Sequence, residues 1–169
     1  NKMKRIKGQV LFLRGLSYYN LVGYYQNPPL ITDYATYSSL DGLYTTNSTY
    51  DNVLDQVEKD FHEAMELLPS RDEGGEWAGG RATCGAAAGY YARALMMRQK
   101  YSDALTVLKD IIGKKYGTYR LMSNYGDNFR EGSAYENNAE SLFEVQYLDY
   151  GAQGTDCLLY TSDAADDKA

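Results

Sequence analysis

The apolar positions of this chain recur mostly at three- and four-residue spacing, and the polar, Gly- and Pro-bearing stretches between them mark where helices stop. Met3, Ile6, Val10, Leu13, Ser17, Leu21 and Tyr24 predict one buried face of a first helix. Phe12, Leu16, Tyr19 and Val22 add a second stripe, so this helix is expected to be covered on more than one side. Asn27-Pro28-Pro29 ends it, because proline lacks an amide proton and restricts the residue before it. Residues 33–48 are polar and turn-rich, with Tyr34, Tyr37, Tyr44 and Asp41-Gly42 among them. They predict an excursion loop, long for a compact domain and of a kind that is often functional.

Ser48 or Thr49 can cap a second helix that runs to Leu68 and is closed by Pro69. Tyr50, Val53, Leu54, Val57, Phe61, Ala64, Met65 and Leu68 are its core positions. Glu58, Lys59, Glu63 and Glu66 lie opposite, and with Asp60 they read as a solvated charged face. Arg71 to Gly80 follows as a flexible loop containing Trp77. Thr83 caps a third helix from Cys84 to about Gln99, whose first turns hold Gly85, Ala86, Ala87, Ala88 and Gly89. Small side chains there let a neighbouring helix approach closely. After a turn near Lys100, a fourth helix spans Ser102 to Ile112, with Ala104, Leu105, Leu108, Ile111 and Ile112 expected inside. Tyr116–Tyr119 and Tyr125–Phe129 read as ordered loop, and Asn137–Tyr147 ends in an alternating stretch compatible with a strand.

Gly85, Tyr101 and Ala104 fall where a tetratricopeptide repeat has a small residue, an aromatic and a small residue. Met97 departs from that pattern and no proline closes it, so the third and fourth helices are tetratricopeptide-like. The fold class expected is mainly α, with helix pairs and long loops.

Composition changes this picture at the C-terminus. Cys157-Leu-Leu-Tyr-Thr-Ser-Asp-Ala-Ala-Asp166 resembles one translated frame of a transposon-end adaptor used in sequencing libraries. Residues 157–169 are therefore set apart as a non-native tail, and residues 1–156 are taken as one partial domain. The full chain carries a net charge of −6; without Asp163, Asp166, Asp167 and Lys168 it is −4. Cys84 is then left without a cysteine partner, which excludes a disulfide framework. The sequence starts at Asn1 inside a helical pattern and shows no signal peptide, lipobox cysteine or run of membrane-spanning length. Both ends are accordingly expected to be missing. A mildly acidic, unpatterned surface argues against nucleic acid as a partner.

Five blocks in one order resemble the SusD/RagB family: "FLRGLSYYNLVGYYQNPPLIT", "YDNVLDQVEKDFHEAMELLP", "GRATCGAAAGYYARALMMRQKYSDAL", "KKYGTY" with "NYGDNF", and "ENNAESLFEVQY". That resemblance implies a helical fold built on tetratricopeptide-like pairs, with long loops carrying the binding surface. It implies a nutrient-binding lipoprotein at the surface of the bacterial outer membrane, held to the membrane only by a lipid anchor outside this sequence. It also implies oligosaccharide or polysaccharide ligands and a SusC-like TonB-dependent transporter as partner. No cofactor follows from it. The alternatives are a tetratricopeptide-like protein–protein interaction module and a SusD-like protein that captures peptides.

Sugar capture uses aromatic rings stacked on sugar faces, beside groups that bond the hydroxyls. Trp77, the only tryptophan, and Tyr34, Tyr37 and Tyr44 sit in loops where no helical stripe requires them, and they are the stacking candidates. The competing reading is that these rings cover adjacent helices. For Tyr18/Tyr19, Tyr24/Tyr25 and Tyr90/Tyr91, which lie within helices, packing is the expected role. His62 is the only histidine, so neither a metal site nor a Ser-His-Asp arrangement is supported. Carboxylates along one helix do not provide the facing pair that a glycosidase needs. The Gly74–Gly80 loop lacks the Gly-Lys-Ser/Thr ending of a phosphate loop. The sequence thus predicts a binding protein and not an enzyme.

Overall fold

A computed structural model of the chain describes residues 2–33, 38, 44–74, 80–130 and 135–145. Among them α1 (Lys2–Tyr25), α2 (Tyr50–Leu67), α3 (Cys84–Met97) and α4 (Tyr101–Ile112) follow one another, with 3-10 turns at Arg71–Glu73 and Tyr125–Phe129. The described residues contain no strand, and the fold is mainly α. Residues 137–145, expected to lead into a strand, are turns and irregular backbone. Tyr147 and the adaptor-like tail from Cys157 lie outside the described residues.

The helices pack serially, α1 on α2, α2 on α3 and α3 on α4, while α1 meets α3 at only a few points. This is the layering of a helical array, in which each element buries its apolar stripe against its neighbour in sequence. α2 carries the clearest stripe. Val53, Leu54, Val57, Phe61 and Ala64 are fully buried, as the three- and four-residue spacing requires. Each such large side chain contributes about 1.5–3 kcal/mol when removed from water. Leu11, Phe12, Tyr18 and Val22 of α1 and Ala86, Ala87 and Ala94 of α3 complete this core. Ala88, Ala92 and Leu95 of α3 meet Ala104 and Val107 of α4 in a second, smaller cluster.

Phe61 stands at the centre of the first core. Its ring centroid is 5.8 Å from that of Phe12 and 5.5 Å from that of Tyr90, the latter stacked. A Cβ at Gly15 would lie 3.1 Å from the Phe61 ring, so α1 and α2 approach closely where α1 has no side chain. Phe143, from the irregular segment, closes the cluster with its centroid 4.9 Å from that of Phe12.

The expected inner face of α1 is reversed. Met3, Ile6, Val10, Leu13, Leu21 and Tyr24 are exposed, while the secondary stripe through Phe12 and Val22 forms the core. α1 is apolar around most of its circumference, so periodicity offers two faces and cannot choose between them. On α4, Leu105, Leu108 and Ile112 are likewise exposed, and the contact with α3 is made through Ala104 and Val107. Tyr24 and Tyr25, expected to pack, are exposed as well.

The helix ends follow local chemistry. Thr49, not Ser48, caps α2 by accepting from the Asn52 amide at 3.3 Å, and Thr83 caps α3 through the Ala86 amide at 3.2 Å. α3 ends with Gln99 at φ 58°, in the left-handed region that favours glycine, while the Lys100 amide reaches back to the Leu95 carbonyl at 2.9 Å. Gln99→Gly is therefore expected to raise stability by about 0.5–1 kcal/mol in urea unfolding, with the α3–α4 turn otherwise unchanged.

Candidate functional site

The loop that leaves α1 is fastened at both ends by specific hydrogen bonds. Tyr18, buried in α1, accepts from the Ile31 amide at 2.7 Å and donates to the Ile31 carbonyl at 3.0 Å. Ser48 Oγ accepts from the Leu30 amide at 3.3 Å, and the Ser48 amide donates to the Pro28 carbonyl at 3.2 Å. Asn27 Oδ1 accepts from the Tyr50 amide at 2.9 Å. Pro28 and Pro29 stop the helix, and the strands of chain on either side of residues 33–48 are then clasped together. Tyr18→Phe removes a hydroxyl that serves both backbone groups of Ile31. The expected result is a loss of about 1–3 kcal/mol and faster hydrogen exchange at the Ile31 amide.

Beneath this stem lies an ion pair. Arg14 Nε and Nη2 donate to the two carboxylate oxygens of Asp60, each at 2.7 Å, and Gln56 Nε2 donates to the same carboxylate at 2.7 Å. Asp60 is 1 % exposed, which corrects its expected place on a solvated face. The Asp60 hydrogen bond raises the Arg14 pKa above the ordinary guanidinium value, against the opposing effect of partial burial. Arg14 Nη1 also approaches the Thr32 carbonyl at 3.5 Å, so the same side chain ties the loop stem to α2.

Of the four stacking candidates, Tyr44 is described and is 85 % exposed, four residues before the Ser48 clasp. Trp77, Tyr34 and Tyr37 lie outside the described residues. Tyr25, exposed at the end of α1 and two residues before Asn27, is an aromatic that helical spacing had assigned to packing.

A second polar region forms at the start of the Trp77-bearing loop. Ser70 and Glu73 make a capping box around the Arg71–Glu73 turn, so this part of the expected flexible loop is ordered. Arg71 donates to the carbonyls of Asn137, Asn138 and Ser141 at 3.2, 3.1 and 3.1 Å, and its guanidinium lies 4.9 Å from the Tyr119 ring centroid. Tyr119 in turn sits 3.3 Å from the Thr83 hydroxyl, and burial raises its phenol pKa. A Cβ at Gly85 would stand 2.1 Å from the Tyr119 hydroxyl. Gly85 and Gly89 of α3 thus receive Tyr119 and Leu142, while Ala86, Ala87 and Ala88 face the neighbouring helices as expected. The cleft left between Arg71, Thr83, Tyr119, Asn137 and Glu144 measures about 210 Å³. Arg71 uses its donors on backbone carbonyls, which makes it a clasp for residues 137–141.

Cys84, His62, Glu58 and Glu63 each have a structural setting among the described residues. Cys84 is buried, donates to the Tyr116 carbonyl at 3.4 Å, and its thiol is pushed up to about 11 by burial, outside the range of a working nucleophile. His62 is exposed, edge-on to Tyr91 at 5.5 Å between centroids. Glu58 pairs with Arg98 at 3.2 Å and Lys100 at 2.8 Å, and Glu63 pairs with Lys7, whose hydrogen bond lowers its pKa. Among the described residues no cluster of His, Cys, Asp and Glu could hold a metal ion, and no helix is long and apolar enough to cross a membrane.

Comparison with known proteins decides the family. Residues 1–96 match the SusD-like family described as "Starch-binding associating with outer membrane". The chain belongs to the SusD-like family. No curated protein matches it. Among solved structures, a laminarin-binding SusD-like protein is similar at 28% identity and TM-score 0.75, covering 88% of this chain and 32% of its own. A SusD superfamily protein from Bacteroides vulgatus shares 27% identity at TM-score 0.73, over 85% of this chain and 29% of its own. Surface glycan-binding protein A from Bacteroides thetaiotaomicron, in complex with laminarihexaose, shares 26% identity at TM-score 0.65, over 84% and 28%. This SusD-like chain therefore spans about 28% to 32% of the length of these proteins. Its α-helical fold is theirs.

The first block of the sequence had carried that resemblance, and the structure gives its residues physical roles. The arginine of "FLR" is Arg14, which holds Asp60, and the first tyrosine of the "SYY" run is Tyr18, which holds Ile31. Asp60, Gln56, Ser48 and Asn27 were missed as members of the same clasp. Only the Asn-Pro-Pro sequence gave any warning of it.

Proposed function

We propose that the protein to which this chain belongs binds oligosaccharides or polysaccharides at the bacterial cell surface and passes them to a SusC-like TonB-dependent transporter. The observation that carries this reading is the similarity to a surface glycan-binding protein in complex with laminarihexaose, at 26% identity. The family description, starch-binding and associated with the outer membrane, supports the same ligand class and location. Attachment is through a lipid anchor on the outer membrane, and the protein is a receptor, not an enzyme.

In this reading α1 and α2 are the rigid support and the loops are the ligand surface. Tyr44, with Trp77, Tyr34 and Tyr37, supplies ring faces for sugars, since an aromatic face combines a large apolar area with a polar edge. Fastening the loop stem before ligand arrives lowers the ordering cost of binding. Capture is then an equilibrium that raises the local sugar concentration above the transporter.

The test is a calorimetric titration of the full-length protein with a panel of oligosaccharides including laminarihexaose, followed by chromatography of the sugars. Saturable binding with the sugars recovered intact is expected. Absence of binding across the panel, or accumulation of shorter products, would sink the reading.

A further inference from the structure

Arg93 of α3 is an exposed cation seated on aromatic rings with no counter-charge beside it. Its guanidinium carbon lies 5.4 Å from the ring centroid of Tyr19 on α1 and 5.3 Å from that of Tyr90 on α3. The two rings meet edge to face at 5.9 Å and are half-buried against the first core, which makes them a fixed seat. No hydrogen bond or ion pair joins Arg93 to another described residue. Arg5, Arg14 and Arg98, by contrast, each hold a carboxylate. The chain carries 23 acidic residues against 17 basic, so a scarcity of anions does not explain the difference. The hydroxyls of Tyr19 and Tyr90 likewise have no hydrogen-bond partner among the described residues, and both reach solvent.

Cation–π attraction consumes no N–H donor, so the donors of Arg93 remain for another group. A guanidinium presents them as a planar fork, which matches a carboxylate through two parallel hydrogen bonds. We propose that Arg93 binds the carboxylate of an acidic sugar, such as a uronic acid residue, with the Tyr19 and Tyr90 hydroxyls bonding the sugar beside it. This inference rests on the glycan-binding reading and narrows it to acidic glycans. Position argues for a sugar over a protein partner. Tyr19 follows Tyr18, whose hydroxyl fastens Ile31 at the stem of the Tyr44 loop, so Arg93 and that loop share one end of the helical array. A guanidinium already held by two rings also loses little freedom when the anion arrives.

The test is calorimetric titration of the full-length protein with a panel of uronic-acid oligosaccharides, each beside its carboxyl-reduced, neutral form. At least one acidic sugar should bind about tenfold more tightly than its reduced form, and added salt should shrink that difference. Arg93→Gln should bring the two affinities together. Arg93→Lys keeps the charge and the long stem over the rings but not the fork, so it should retain only part of the preference; it also serves if Arg93→Gln does not fold. Equal binding of acidic and reduced sugars, or a preference that survives both substitutions, would overturn the role of Arg93 and leave the glycan reading standing. Binding of a poly-glutamate peptide and of no acidic sugar would overturn it in favour of a protein partner. Failure of acidic and neutral sugars alike would overturn both readings.

Discussion

Arg14→Ala is expected to lower stability by about 3 kcal/mol or more, because it leaves a buried carboxylate without its counter-charge. Asp60 is 1 % exposed and has three hydrogen bonds, two from Arg14 and one from Gln56. Removing Arg14 leaves only the Gln56 amide to solvate that charge. Replacing both partners by apolar residues of similar size, Arg14→Met with Asp60→Leu, is expected to cost less than Arg14→Ala alone, since no uncompensated charge remains. Urea unfolding of the two variants gives the comparison. Arg14 also reaches the Thr32 carbonyl, so hydrogen exchange in the loop stem should rise in the single variant.

Phe61→Ala is expected to cost about 3–5 kcal/mol through the cavity it opens. The ring is fully buried and touches Phe12 and Tyr90 at 5.8 and 5.5 Å, with the bare backbone of Gly15 against its edge. Because α1 presents no side chain at Gly15, α1 has nothing there to collapse into the space. The loss should therefore lie toward the upper end of the range, read as a shift of the urea midpoint at unchanged slope. An equal loss from Met65→Ala, at a partly buried position on the rim, would contradict the central place given to Phe61.

Much of the fold was legible where one face of a helix is apolar and the other is not. α2 shows this best: its core positions, its Thr49 cap and its stop at Pro69 follow from spacing and local chemistry alone. α1 defeats the same argument, since Val10 and Phe12 are equally apolar and only the position of α2 decides which is inside. α4 shows the converse error. Its larger residues Leu105 and Leu108 point out, and Ala104 and Val107 face α3 instead.

The Pro-Pro exit and the length of the loop pointed to residues 33–48 as a candidate binding loop, in which Tyr44 is exposed. The clasp beneath it was not legible. Arg14 and Asp60 are far apart in sequence, and a carboxylate flanked by Lys59 and Glu63 looks solvated until its partner on another helix is seen. Arg71 was hidden for the same reason, since its three acceptors are backbone carbonyls that carry no signature in the sequence.

The measurement that tests the account most directly is a calorimetric titration of full-length Tyr44→Ala beside the parent protein, using the oligosaccharide that binds best. Tyr44 is exposed and outside both cores, so the melting temperature should not change. Loss of one stacking ring should weaken binding by up to about tenfold. Unchanged affinity in a folded variant would contradict the assignment of the α1 exit loop as the sugar-binding face.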